Sequence, residues 1–325
     1  MVRFLIRRLL FAILVLFINT FVVFLLFYVV KSETPIARAA TFAPRGANLR
    51  SLQQIAERLG FYHPWYQQYG HFLSRLIFHG DLGTDFTTQA SVNSELFSRL
   101  PVTASLAIGA AVIWLAMGIP FGILAATKPR SIRDRLATVF ALLFYSIPTF
   151  VLGLLLLLVF YYYFRTKLHI NIYSYGAYTP LTQDPVGWLK DLYLPWLSLA
   201  LVSAASYSRV TRGSMLDVLG EDYIRTARAK GLSERAVVYK HGLRSALTPI
   251  VTIFGIDLGT LLGGAVITET IFALPGIGAF SLRAVIAGDL PVVSATVLVA
   301  AAFIVIANLI VDIAYAFLDP RVRLS

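Results

Sequence analysis

Three carboxylates, Asp257, Glu269 and Asp312, interrupt long apolar runs. An ionisable group in such surroundings is costly to bury. The chemistries open to it are proton relay, pairing with a polar partner, or lining a water-filled path. Asp257 lies deepest. Glu269 is expected near the outer mouth of the same run. Asp312 follows Asn308 by one turn near the inner end of the last run, where packing or a hydrogen bond accounts for it. We read Asp257 as a satisfied or water-lining group rather than a proton carrier. An acid–base pair of Asp257 and Glu269 would make an enzyme. On one continuous helix their twelve-residue separation is about 18 Å, too far to share a catalytic water. Gly255, Gly259 and Gly263 share one helical face beside Asp257. Small residues at that spacing let helices approach closely in lipid. They mark either close packing inside one subunit or an interface bordering a pathway.

Other chemistries are poorly represented. The 325 residues contain no cysteine, so disulfides, thiolate chemistry and Cys-based metal sites are excluded. No GxxxxGK[ST], HExxH or GxSxG pattern occurs. His63, His71 and His79 recur every eight residues, whereas two ligands from one helix face need three or four, so no metal site is expected.

The elements around these residues are membrane spans. Hydrophobic residues make up 58% of the chain and charged ones 14%, against about a quarter charged in soluble domains. Leu9–Val30 holds no ionisable group, and a span needs about 20 apolar residues. Six spans are expected, at 9–30, 103–126, 137–164, 193–212, 248–271 and 292–317. The fourth is diluted by Ser and Thr and crowded by Arg209 and Arg212, which can snorkel. The first has basic residues before it and Ala37-Arg38-Ala39 after it, as a signal peptide would. It is too long for one and reads as an uncleaved helix.

With the N-terminus inside, the inner pieces carry 17 Lys and Arg in 65 residues and the outer pieces 11 in 120. This is the positive-inside pattern. The net charge of +11 is therefore a topological address, and no nucleic-acid partner is expected. Both termini are expected in the cytoplasm. The outer segment 32–98 reads as folded. Asn48 can cap a helix ended by Gly60, and a second helix from Pro64 would carry Trp65, Tyr69, Phe72, Leu73 and Leu76 on one face.

The stretch YIRTARAKGLSERAVVYKHGLRSALTPI (223–250) holds six Lys or Arg between two spans. Glu221 and Asp222 before a helix and Arg228 and Lys230 at its end suit the helix dipole. Gly231 is a C-terminal cap, and Ser233 caps a second short helix, 234–241. Thr226, Ala227, Ala229 and Gly231 leave a low ridge that a plain solvated loop would not need.

This stretch resembles the cytoplasmic EAA loop of ABC-importer permeases, in the oligopeptide, dipeptide and nickel branch. HGDLGTDF (79–86), RLPVTASL (99–106), YSIPTFVLG (145–153), ETIFALPGIGAF (269–280) and DPRVR (319–323) agree in order along nearly the whole chain. The long outer segment resembles that of the first of the two permeases in such systems. The usual Glu-Ala-Ala-x3-Gly is matched here only at Ala227 and Gly231. Arg225 and Thr226 stand in its first two places, and the proline expected some thirteen residues past the glycine is replaced by Pro249, further on.

The resemblance implies an all-α, type I ABC importer permease fold in a multi-pass subunit of a bacterial inner or plasma membrane. The span 1–31 would be followed by the outer segment 32–98, a five-helix transmembrane domain 99–317 with coupling loop 213–247, and a tail 318–325. It implies a non-catalytic subunit that pairs with a second, homologous permease, two ATPase subunits or domains, and an extracytoplasmic substrate-binding protein. ATP and Mg would be bound on the partner ATPases and no cofactor by this chain. Arg225, Thr226, Ala227, Ala229, Gly231, Leu232, Glu234 and His241 would form the ATPase-coupling loop. Gly255, Asp257, Gly259, Gly263 and Glu269 would line the translocation path or the permease interface. The expected substrate is a peptide, with nickel, glutathione or another small solute as the alternative.

Overall fold

In a computed structural model, residues 2–26, 34–40, 42–43 and 46–318 are described. The end of the first span, 27–30, and the tail with its DPRVR motif lie outside them.

The first helix, α1 (Val2–Phe24), is followed by a short α2 (Pro35–Ala40). Asn48 caps α3 (Leu49–Arg58) by accepting from the Ser51 N–H, and Gly60 turns the chain with φ +72. Pro64 immediately precedes α4 (Trp65–Ser74), which a π-helical turn, Arg75–His79, extends to the left-handed Gly80. Helix α5 (Val92–Thr127) is 36 residues long. Ser131 caps α6 (Ile132–Ser146). Helices α7 (Thr149–Leu156) and α8 (Phe164–Lys167) are joined by a π-helical turn. Asp184 caps α9 (Pro185–Leu219), 35 residues long. Among the described residues the only β pairing is an isolated bridge between Thr84 and Ser91.

Two expected spans are broken, for identifiable reasons. The third, 137–164, stops at Ser146. Ile147 is extended at ψ 120 because Pro148 clashes with a helical residue before it and offers no N–H. The fifth, 248–271, divides into α12 (Leu243–Leu262) and α13 (Val266–Ile271) at Gly264. Gly264 has φ +129 and lies against the backbone of Gly278, a conformation and a proximity that a side chain would not allow. At its N-terminal end this helix begins earlier than expected. After α10 (Asp222–Ala229), the short helix expected over 234–241 forms as α11 (Glu234–Ala236) and continues through a π-helical turn, Val237–Gly242, into α12. The chain ends in α14 (Ile277–Ala287) and α15 (Leu290–Leu318).

Five of the described helices are long and apolar enough to cross a membrane: Ile6–Phe24, Val92–Thr127, Thr149–Lys167, Glu234–Leu262 and Leu290–Ile313. The expected fourth span lies within α9, which is not among them. Its Ser198, Ser208 and Thr211 are buried. Helix α9 is enclosed by other helices, so it needs no continuous apolar surface.

The central contact joins α5 to α9. A β-carbon at Gly118 would lie 2.7 Å from that of Tyr207; at Gly122 it would lie 2.7 Å from the Ser208 carbonyl and run into Thr211; at Gly109 it would run into the Trp196 indole. Residue numbers rise together on both sides, so the two helices are parallel. The Trp196 Nε1–H donates to the Ser105 carbonyl at 2.9 Å. The glycines of α12 meet α15 in the opposite sense. Gly255 faces Val311, a β-carbon at Gly259 would lie 2.9 Å from that of Ala307, and one at Gly263 would lie 2.8 Å from that of Ala300. Arg8 of α1 pairs with Asp312 of α15 at 2.9 Å.

Overpacking a tight contact costs about 1–3 kcal/mol. Gly122→Leu is therefore expected to lower the thermal unfolding midpoint of the purified chain in detergent by several degrees. Gly213→Ala, on α9 with open space where its methyl would sit, should leave the midpoint unchanged or raise it, because glycine in a helix costs about 0.5–1 kcal/mol relative to alanine. Equal responses from the two would show that α5 and α9 are not in close contact.

Candidate functional site

At one end of the molecule α10 forms a braced arm. Its Ile224 and Ala227 are buried against Val237, with Val218 and Leu219 packed alongside. Arg225, Thr226 and Ala229 are exposed on its other side, and so is Leu232 in the turn beyond. The helix ends in a Schellman motif, in which the Leu232 N–H donates to the Ala227 carbonyl and the Gly231 N–H to the Arg228 carbonyl. Gly231 has φ +77, with open space around it.

Arg228 then reaches across the turn. Its Nε and NH2 donate to the two oxygens of Glu234 at 3.1 and 2.8 Å. That hydrogen bonding holds the Glu234 carboxyl below its ordinary pKa and pushes Arg228 up. His241, half-buried, lies in the π-helical turn below. The base of the arm packs through Val238, Met215 and Ala246 onto Ile123 and Ala126 at the end of α5. Beside it Asp134 of α6 accepts from Arg212 of α9 through Nε at 2.7 Å and NH2 at 3.1 Å. That bond and the Arg130 N–H hold Asp134 below the usual carboxylate range.

At the other end Glu269 is fully buried. One of its carboxylate oxygens accepts from the Thr103 hydroxyl at 2.8 Å, the other from the Ala279 N–H at 2.8 Å. Thr103 in turn accepts from the Ile277 N–H at 2.9 Å. The carboxylate and the threonine together cap the start of α14, where the helix dipole favours negative charge. Gly276 lies against the carboxylate and leaves no room for a side chain. Nearby, Asp289 accepts from the Phe86 N–H at 2.6 Å, and Gly153 abuts the Phe272 ring. Leu82 and Leu100 pack in one cluster with Ile277 and Phe280, so the segments 79–86, 99–106, 145–153 and 269–280, distant in sequence, meet in one region.

Asp257 is half-buried and accepts from the Tyr207 hydroxyl of α9 at 2.9 Å. The helix break at Gly264 separates it from Glu269, so the two do not share one straight helix. Gly255, Gly259 and Gly263 face α15 of the same chain. The His63 and His71 rings approach to 6.5 Å, because the chain turns at Pro64. No group of three or more potential metal ligands occurs among the described residues.

Residues 118–324 match the family described as binding-protein-dependent transport system inner membrane component, and residues 1–107 match the N-terminal domain of such components. The chain belongs to this family. The dipeptide transport system permease protein DppB of Escherichia coli K12 is 38% identical over an alignment of 302 positions that covers 86% of this chain and 87% of that protein. The protein of the same name from Alkalihalophilus pseudofirmus is 35% identical over an alignment of 344 positions that covers 99% of this chain and 100% of that one. A solved inward-facing structure of the MetNI methionine ABC transporter superposes with a TM-score of 0.50 at 19% identity, covering 67% of this chain and 94% of that one. The all-α fold is therefore that of a type I ABC importer permease. A transport component of this kind is a multi-pass membrane protein that works with ATPase chains.

Sequence reasoning missed the partners of its own candidates. Thr103 and Tyr207 are unremarkable in sequence, and their roles depend on contacts between distant helices. Arg212, read as a snorkelling side chain, is clamped by Asp134. Gly118 and Gly122 did carry a readable signal, two glycines four apart in an apolar run.

Replacing one carboxylate oxygen of Glu269 by an amide places a donor against the Ala279 N–H or the Thr103 hydroxyl. A buried polar group left unpaired costs about 1–3 kcal/mol. Glu269→Gln should thus lower the thermal midpoint in detergent, whereas Thr103→Ser, which keeps the hydroxyl, should lower it far less. A Glu269→Gln chain as stable as the parent would mean that the carboxylate does not hold α14.

Proposed function

We propose that this chain is a permease subunit of a bacterial ABC importer for oligopeptides or dipeptides, of the first-permease type. It crosses the inner or plasma membrane six times, with α9 supplying the fourth span and both termini in the cytoplasm. It pairs with a second, homologous permease. Two ATPase subunits or domains, which bind ATP and Mg, dock on its cytoplasmic face, and an extracytoplasmic binding protein delivers substrate. The chain itself binds no cofactor and carries out no catalysis. Support for the peptide comes from the two relatives named for dipeptide transport.

The observation that carries the coupling role is the braced arm. Helix α10 follows α9 after two residues and leads, through one tight turn, into the continuous helix Glu234–Leu262. Force applied to α10 therefore reaches two membrane helices directly, and α5 through the packing at their base. The exposed Arg225, Thr226 and Ala229 and the turn at Gly231 and Leu232 are the docking surface. Ala227 and Glu234 act from behind, by fixing the helix to its support. Alternating access follows if ATPase closure moves these arms together in the paired permeases. Asp257, hydrogen-bonded to Tyr207, keeps α12 in register with α9 beside the pathway.

Gly231→Arg should leave the subunit inserted, because its side chain enters water. It should lower both co-purification of the ATPase chains and uptake of a labelled dipeptide by cells, at least tenfold for uptake. Gly231→Ala strains the left-handed backbone without adding bulk, costing about 1 kcal/mol, and should retain most uptake. An arginine variant that holds its ATPases and transports at the parental rate would remove the arm from the mechanism.

Asp257→Asn retains an oxygen to accept from Tyr207, so uptake should stay within about threefold of parental, a loss worth under 1 kcal/mol. Abolished uptake at normal membrane levels would instead make Asp257 a proton carrier.

A further inference from the structure

Over the second half of α9 one flank is left partly uncovered by its neighbours. Ala204, Tyr207, Ser208 and Thr211 face α5. Val202, Ser206, Arg209 and Gly213 fall on the opposite flank at helical spacing, and all four are half-buried or exposed. The two arginines of this stretch stand one turn apart and reach in opposite directions along α6. Arg212 pairs with Asp134 in the first turn of α6. The Arg209 guanidinium carbon lies over the Tyr145 ring, 5.0 Å from its centroid. Tyr145 lies about 16 Å further along α6 than Asp134, and no charged residue occurs between Arg135 and Arg165. Arg209, read from the sequence as a snorkelling side chain, therefore points along the apolar run and away from the basic turn that precedes α6.

The surroundings of Arg209 leave its charge uncompensated. Asp134 is engaged by Arg212 through both Nε and NH2, and among the described residues no carboxylate pairs with Arg209. The Tyr145 ring holds the guanidinium by its face and leaves the N–H groups free to donate. Beside it a cavity of about 250 Å³ opens between α6 and α9. Arg209, Arg212 and Thr138 line its walls, and Ala137, Ala141 and Gly213 leave the room. An unpaired guanidinium is costly in lipid, and cations inside membrane proteins face water-filled cavities or partners. A guanidinium fixed in this way is suited to bidentate recognition of a carboxylate.

We propose that this flank of α9 borders a water-filled path and that Arg209, held on Tyr145, receives the carboxylate of the transported solute. In a dipeptide that group is the C-terminus, so the site distinguishes the free acid from its C-terminal amide. The inference rests on the chain being a peptide permease.

The chain has no cysteine, so Val202→Cys and Ser206→Cys report on this flank alone. Each is placed in the assembled importer, with any cysteines of the partner chains removed, and reconstituted in liposomes. Rates of reaction with a negatively and a positively charged methanethiosulfonate, supplied on both sides, are compared. Both reagents should react. The preference for the negative one should fall roughly tenfold when Arg209→Gln is added, because a single fixed charge in a narrow site concentrates ions of opposite sign. Arg209→Lys should keep the preference. An excess of dialanine should slow the reaction and dialanine amide should slow it far less, a difference that Arg209→Gln should abolish. Uptake of labelled dialanine by the parent importer is recorded alongside. A parent that takes up no dipeptide would remove the peptide reading and this inference with it. With uptake intact, cysteines closed to both reagents would overturn the inference alone, by showing that lipid or the second permease covers the flank. A charge preference unchanged by Arg209→Gln would overturn it by showing that a partner chain already neutralises Arg209. Equal protection by acid and amide would overturn it by showing that the carboxylate is not recognised.

Discussion

The close contact of α5 and α9 is the constraint on which the rest of this subunit depends. Two helices of some 50 Å approach this closely over their length only where one of them gives up side chains at the contact. Gly109, Gly118 and Gly122 do so, and Trp196, Tyr207 and Thr211 occupy the room. Once that register is set, the polar contacts follow from it. Thr103 in the first third of α5 reaches Glu269, Tyr207 past the middle of α9 reaches Asp257, and Arg212 nearer the end of α9 reaches Asp134. In a medium that offers no water to an unpaired group, such pairings have to come from the chain itself.

Much of this was legible in the residues. Long apolar runs located most of the spans, and the glycine after a basic, small-residue helix located the end of α10 together with its left-handed turn. Asn48 and Gly60 bounded a helix for the reasons their chemistry gives. The less legible parts share a cause. Hydropathy measures preference for lipid, and a helix enclosed by other helices has no need of it, so α9 reads as a weak span. Hydropathy is equally blind to backbone interruptions, so Pro148 and Gly264, each plain in the sequence, were absorbed into spans that they divide. The role of Glu269 was hidden because its partners come from α5 and from a helix start ten residues on. A carboxylate in an apolar run looks the same whether it serves a pathway or caps a helix.

The two ends of the molecule treat their charges differently. At the arm, Arg228 and Glu234 are largely exposed, so their attraction is screened and contributes little to stability. It orients a turn that the backbone of Gly231 already defines. At the Glu269 end the carboxylate is enclosed, and every contact to it is also a constraint on the segment 269–280. The first kind of site tolerates contact with a moving partner. The second holds its neighbours in fixed positions.

The antiparallel seating of α15 on α12 and α1 bears on how the chain is made. Helix α15 is synthesised after α1 and α12, yet it fills the glycine face of α12 and supplies Asp312 to Arg8. Until it enters the bilayer, α12 presents a bare glycine ridge and α1 lacks its neighbour. A chain that ends before residue 290 would leave the glycine face of α12 unfilled and Arg8 without Asp312, surface of the kind that makes incomplete folding intermediates prone to aggregate.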